Sequence, residues 1–236
     1  MATDDKLKVL RDGELKVTGR LVDASNATLY ANSTLDRNEI TCIYKPIAGE
    51  RPLWDFAHGS LAHREYAAYL VSDYLDFNCV PLTILRDGPY GFGMVQEWIT
   101  IDDSIDLGSF FSTDHPKLRS MALFDAIINN TDRKIGHLLP VDEHRVLGCD
   151  HGVTFHCEDK LRTVLWQWAD ESFNEVELMI LQKAEEAFQG ELAEVLEPYL
   201  TQEEISTTLN RVQTLLSRKR FPLPNPNWPA VPWPAF

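Results

Sequence analysis

The 236-residue chain lacks any run of 18 consecutive apolar residues, which argues against a helical membrane span. It has four cysteines, Cys42, Cys79, Cys149 and Cys157, and none forms a C-x-x-C pair. They read as free thiols in a reducing cytosol. Cations are scarce, with 22 Lys and Arg against 36 Asp and Glu, for a formal net charge of −14. Such a surface repels phosphate backbones and anionic headgroups, so nucleic acid is not an expected partner. The N-terminal stretch MATDDKLKVLRDGELKV has no apolar signal region, and a cytoplasmic location is expected. The patterns G-x-S-x-G, G-x-G-x-x-G and G-x₄-G-K-[ST] do not occur, which removes common hydrolase, dinucleotide and P-loop readings.

What is present is a chain that is 44% hydrophobic, enough for one large domain or two small lobes. Strands are expected at 14–22, 27–34 and 39–47, with the turn-forming DASN between the first two. A helix is expected over 59–76, then a hairpin of 80–85 and 90–99 around RDGP. The rest is mostly helical. A helix over 113–130, capped at Thr113 or Asp114, precedes a short hairpin. Two helices follow, at 172–198 and 202–218, the second opened by the capping box Thr201 to Glu204. The tail FPLPNPNWPAVPWPAF holds six prolines and two tryptophans and reads as an extended arm. It is either loosely attached or docked on the body through Trp228 and Trp233. The expected class is α+β, with a β-rich lobe at 1–98, a helical lobe at 99–220 and the tail at 221–236.

Two charges look misplaced. Lys45 shares a strand face with Ile43 and Ile47, and Glu65 lies on a helix one turn from Leu61 and Tyr69. A charge on an apolar face is costly unless paired, so an ion pair is one reading. The other is two exposed edge residues. Downstream, Asp132 and Asp150 flank the short apolar hairpin. A strand lysine held by a helix glutamate, a loop aspartate and a second aspartate close to a glycine make up the parts of a kinase. Asp125, two helical turns before Asp132, either supports the loop from behind or is a solvent-exposed helix aspartate. A rival reading, a zinc site, would draw on His137, His144, His151, His156 and Cys157, but their spacings match no zinc motif.

Several segments carry a family resemblance. FDAIINNTDRKIGHLL resembles the catalytic loop of the phosphatidylinositol 3- and 4-kinase-like superfamily, which includes HipA-type bacterial kinases and secreted Fam20-type kinases. CDHG resembles its metal-binding aspartate motif, IYKP its ATP-binding lysine strand and HREYAAYLVSDYL its glutamate helix. DASNAT resembles the hairpin over the phosphates, and MVQEWI the strand bordering adenine. The match spans about residues 18–155 in order, and small actinobacterial proteins belong to the group. Two positions depart from the pattern: Lys134 replaces the usual histidine and His137 the usual metal-binding asparagine.

The resemblance implies a two-lobed, protein-kinase-like fold that binds ATP with Mg²⁺ or Mn²⁺. It implies a base at Asp132, phosphate contact from Lys45 oriented by Glu65, and metal ligation by Asp150 and His137. Nucleotide contacts are implied at Ser25, Asn26, Ala27, Thr28, Glu97 and Trp98, with support for the loop from Asp125 and Asn130. The expected activity is phosphoryl transfer to a hydroxyl of a small metabolite or a protein. Alternatives are a nucleotide-binding regulator without turnover and an AMP transferase. An imidazole must be neutral to bind metal, so affinity is expected to fall as pH drops through about 6.5.

Overall fold

The alternating apolar positions of the N-terminal third form a five-stranded sheet in the order β1-β2-β3-β5-β4, every neighbouring pair antiparallel. The computed structural model describes residues 1–21 and 26–236. The strands are β1 (Glu14–Arg20), β2 (Leu29–Leu35), β3 (Asn38–Pro46), β4 (Thr83–Gly88) and β5 (Gly91–Glu97). Along β3 the period of two sends Cys42 and Tyr44 into a core with Val9, Leu10, Ala31, Ile84 and Val95. It sends Ile43 and Lys45 to the opposite face, toward a cleft.

That first core is completed by an element absent from the sequence expectations, helix α1 (Thr3–Asp12). Only Val9 and Leu10 of α1 are buried, too few for a periodic signal in a charged segment. Its C-terminal carbonyls are held by Arg86, which donates to Leu10 O at 2.6 Å and Gly13 O at 2.9 Å. A guanidinium from another strand thus supplies the cap that the segment does not encode itself.

Helix α2 (Leu61–Tyr74) crosses between the sheet and the helical part. Glu50 caps it: its carboxylate accepts from Leu61 N at 3.2 Å and Ala62 N at 2.8 Å. A negative charge at a helix N-terminus satisfies orphan amides and complements the dipole. Ala67, Ala68 and Val71 join the second and larger core, built with α4 (Pro116–Ile128), α5 (Glu175–Phe188) and α7 (Gln202–Arg218). Arg64 of α2, 4% exposed, forms an ion pair with Glu204 of α7 and donates to Thr154 O at 2.8 Å. The same Glu204 completes the expected capping box with Thr201.

A one-turn helix α3 (Leu107–Phe110) leads into α4, and the hairpin β6 (Leu138–Asp142) and β7 (Arg145–Gly148) follows it. The cap of α4 is His115, whose Nδ1 accepts from Lys117 N at 3.1 Å, instead of Thr113 or Asp114. The expected single helix over 172–198 is two, α5 and α6 (Glu191–Leu196). Gly190 stands between them at φ −136° and ψ −130°, outside helical geometry. Among the described residues no helix is long and apolar enough to cross a membrane.

The proline-rich tail is extended and held by backbone bonds. Thr163 N and Trp166 Nε1 both donate to Ala230 O, at 3.0 and 2.9 Å, and Ile135 N donates to Ala235 O at 2.8 Å. Trp228 is half-buried against the body, whereas Trp233 is 92% exposed, so docking holds for only one of the two tryptophans.

Candidate active site

Burial forces the polar arrangement of the site. Lys45 Nζ lies 2.6 Å from Glu65 Oε1 and 2.8 Å from Asp150 Oδ1. Glu65 is 2% exposed, so the two charges are a buried pair and not edge residues. Burial disfavours the Lys45 ammonium, but Asp150 and Glu65 outweigh it and raise its pKa above the ordinary value. The Lys45 charge in turn holds Asp150 well below the usual carboxylate range. Burial pushes Glu65 up, opposed by Lys45 and by the amide of His151, which donates to Glu65 Oε2 at 2.9 Å. Asp150 sits at φ 61°, a left-handed conformation that side chains beyond glycine seldom adopt.

Asp132 reaches the same place from the other side. Its backbone N–H donates to Asn130 Oδ1 at 3.0 Å, and Asn130 Nδ2 donates to Asp125 Oδ1 at 2.9 Å. Asp125 is fully buried, as is Arg133. Arg133 grips Asp125 with Nε to Oδ2 at 2.9 Å and Nη2 to Oδ1 at 2.8 Å. Its remaining donors reach Cys149 O at 3.1 Å and His151 Nε2 at 2.7 Å, the two residues that flank Asp150. A guanidinium only donates, so His151 accepts through Nε2 and carries its proton on Nδ1. One buried network therefore positions both acid-bearing segments. A Cβ on Gly148 would stand 2.8 Å from Arg133 Nη1, so the chain passes here only as glycine.

Asp132 itself faces Lys134 Nζ at 3.6 Å and Arg162 Nη2 at 3.4 Å, while burial pushes its carboxyl up. His137 Nε2 is 3.4 Å from Asp150 Oδ2. Burial lowers His137 to about 4, below the ordinary value on which the expected transition near pH 6.5 rests. Among the described residues no group of three or more His, Cys, Asp or Glu side chains converges on a metal position. Asp150 and His137 offer two donors, which fits a cation shared with the phosphates of a substrate. His144 is exposed, and His156 donates through Nε2 to Asp55 O at 3.0 Å, far from any such pair in role.

Two cavities meet at these residues. One, of about 520 Å³, is lined by Thr28, Ile43, Trp98, Gly136 and His137. The other, of about 500 Å³, is lined by Asn26, Ala27, Trp54, Phe56, Arg162 and Trp228. Lys45, Asp132 and Asp150 belong to both. The expected nucleotide contacts thus divide: Thr28, Glu97 and Trp98 line the first cavity, and Asn26 and Ala27 the second. Ser25 lies outside the described residues. The Glu97 carboxylate is taken by Lys6 of α1 at 2.5 Å, so Glu97 offers the first cavity backbone more than charge. Trp98 packs edge-on against Tyr30, with ring centroids 5.1 Å apart.

Arg133, Arg162 and Trp228 were not among the residues expected at the site. The D-R pair of the loop could have marked Arg133, since a charge beside so many buried positions needs a partner. Arg162 comes from an irregular segment that carries no local signal, and Trp228, read only as a residue that could dock the tail, carries none for a place at the site.

No family model matches the chain. Among solved structures it is similar to the Golgi casein kinase, with a TM-score of 0.58 at 14% identity over 91% of this chain and 73% of that one. The Golgi casein kinase with Mn and ADP bound matches at a TM-score of 0.58 and 13% identity, over 91% and 74% of the two chains. At such identity the likeness shows the fold alone, and that fold is protein-kinase-like, with a β-rich and a helical lobe. Protein Rv2133c of Mycobacterium tuberculosis is 42% identical, covering 99% of this chain and 96% of that protein. The chain belongs to the family of that mycobacterial protein.

Proposed function

We propose that the protein is an ATP-dependent phosphotransferase acting on a hydroxyl group. The observation that carries this reading is the meeting of two cavities at Lys45, Asp132 and Asp150. In it, the first cavity takes the nucleotide, with the purine between Ile43 and the Trp98 segment and the phosphates directed to Lys45. Lys45 keeps its charge because two carboxylates hold it, and a fixed cation at the phosphates is worth most in a site partly shielded from water. Glu65 orients Lys45, and its second oxygen fixes the His151 amide beside Asp150.

Asp150 and His137 would hold Mg²⁺ or Mn²⁺, which neutralises phosphate charge when bound. The Golgi casein kinase, a structural neighbour, holds Mn and ADP, which supports the same pairing of metal and nucleotide. Asp132 accepts the proton of the acceptor hydroxyl as that oxygen bonds to the γ-phosphorus of ATP, whose bond to the β–γ bridging oxygen breaks so that ADP leaves. Burial raises the Asp132 carboxyl, which makes it a stronger base than an exposed aspartate. Lys134 and Arg162 flank it and keep it ionised while it waits.

A thermal-shift titration tests the reading. ATP with Mn²⁺ or Mg²⁺ should stabilise the wild type, and Lys45→Ala should weaken ATP binding by about 1.5–3 kcal/mol, the worth of a charged hydrogen bond. Absence of any ATP-dependent shift with both metals would sink it. Release of AMP in place of ADP during turnover would replace kinase chemistry by AMP transfer.

A further inference from the structure

The second cavity has a wall that the lobes do not supply. The C-terminal arm is pinned before it, where Asn225 Nδ2 donates to Asp159 O at 2.9 Å, and after it, at Ala230 O. Between the two anchors it presents Trp228 to the cavity. Lys160 Nζ lies 5.0 Å from the Trp228 ring and 4.7 Å from the Trp54 ring, an ammonium between two indoles. Asp55 holds that ammonium at 2.9 Å. Trp54 and Asp55 come from the connection between β3 and α2, so the stack joins arm, sheet lobe and helical lobe at one rim. Cation–π contacts of this kind strengthen as they lose water.

One polar atom of this wall is unspent. Trp228 Nε1 is buried and has no hydrogen-bond partner among the described residues. A buried donor without an acceptor is costly to leave unmade, but this N–H has no accessible surface, so Trp228 lines the cavity with its other atoms. The cavity behind it, about 500 Å³, has the size of a small-molecule site. Asp132, with Lys45 and Asp150, lines this cavity and the first one alike.

Resting on the phosphotransfer reading, we infer that the second cavity is the acceptor site and that Trp228 is its specificity-determining residue. The acceptor is a small hydroxyl compound with an apolar face for the indole, and it is not a polypeptide side chain. The indole wall fixes the distance from the acceptor hydroxyl to Asp132. It acts on acceptor binding and leaves the proton transfer to Asp132.

ADP release with Mn²⁺ and ATP, measured on the full chain, tests this. One arm uses glycerol, ribose, glucose and free serine as acceptors, and the other a mixture of serine- and threonine-containing peptides. The small set should give turnover above background and the peptides none. Trp228→Ala should raise the acceptor KM about tenfold or more, with kcat changed far less. Trp228→Phe keeps an aromatic wall, so its acceptor KM should rise clearly less than that of Trp228→Ala. KM for ATP should move in neither variant. Turnover with peptides alone, or with no small acceptor while ATP still stabilises the protein, overturns the inference, as does an unchanged acceptor KM in Trp228→Ala. Failure of ATP to stabilise the wild type would instead remove the phosphotransfer reading itself.

Discussion

Replacing Asp125 by alanine should unfold the protein far more readily than replacing any exposed aspartate. Asp125 and Arg133 are both 0% exposed, and the carboxylate takes two guanidinium donors at 2.8 and 2.9 Å. Removing it leaves Arg133 with only neutral acceptors, Cys149 O and His151 Nε2, and orphans Asn130 Nδ2 as well. Breaking one side of a buried ion pair costs about 3–5 kcal/mol. At roughly 2–4 °C per kcal/mol for a chain of this size, Tm should fall by about 6–20 °C. The control is the double variant Asp125→Leu/Arg133→Met, because two well-packed apolar residues can replace a buried pair at little cost. It should be more stable than the sum of its single variants by about 2 kcal/mol or more. Urea titration and calorimetry measure both. A loss under about 1 kcal/mol in Asp125→Ala, or strict additivity in the cycle, would refute the claim that this pair is the anchor of the loop.

The two acids of the hairpin should part company on substitution. Asp150→Asn should abolish metal-dependent ATP binding, whereas Asp132→Asn should keep it and lose about 10²-fold or more in turnover, read by calorimetry beside ADP release. Equal effects on binding would undo the division of labour. His137→Asn should shift preference from Mn²⁺ toward Mg²⁺, since an amide oxygen suits the harder ion. The His137 ring is already neutral above about pH 4, so metal affinity should show no step from it between pH 5 and 8. A transition near pH 6.5 that disappears in the asparagine variant would mean that the ring is not shielded.

What the sequence discloses follows from where the physics is local. Lys45 and Glu65 are legible because a charge in an apolar period has few explanations, and the ion pair is the one the structure adopts. The caps of α7 are legible because Thr201 and Glu204 stand three residues apart. Helix α1 is not, since two buried residues and a cap borrowed from Arg86 leave no periodic trace. The break at Gly190 is a tertiary choice: one glycine weakens a helix by about 1 kcal/mol, and packing decides whether it ends there. Arg162 and Trp228 reach the site from segments 30 and 96 positions beyond Asp132, distances over which no spacing rule operates. The left-handed Asp150 is likewise unreadable, because aspartate visits that region more readily than most residues and Asp36, Asp76 and Asp170 do so here too, with nothing in the sequence to single out one of them.

Helix α2 is gripped on two sides at once. Glu65 reaches Lys45 and the His151 amide, and Arg64, its neighbour in sequence, is paired with Glu204 and bonded to Thr154 O. Swinging α2 outward would therefore strip two buried ion pairs together. A rotation of this helix has to break both contacts at once, and a partner that drove it would have to supply new ones for Arg64 and Glu65 together. The position of Glu65 under Lys45 is thus fixed as much by the hold of the helical part on Arg64 as by the contacts of Glu65 itself.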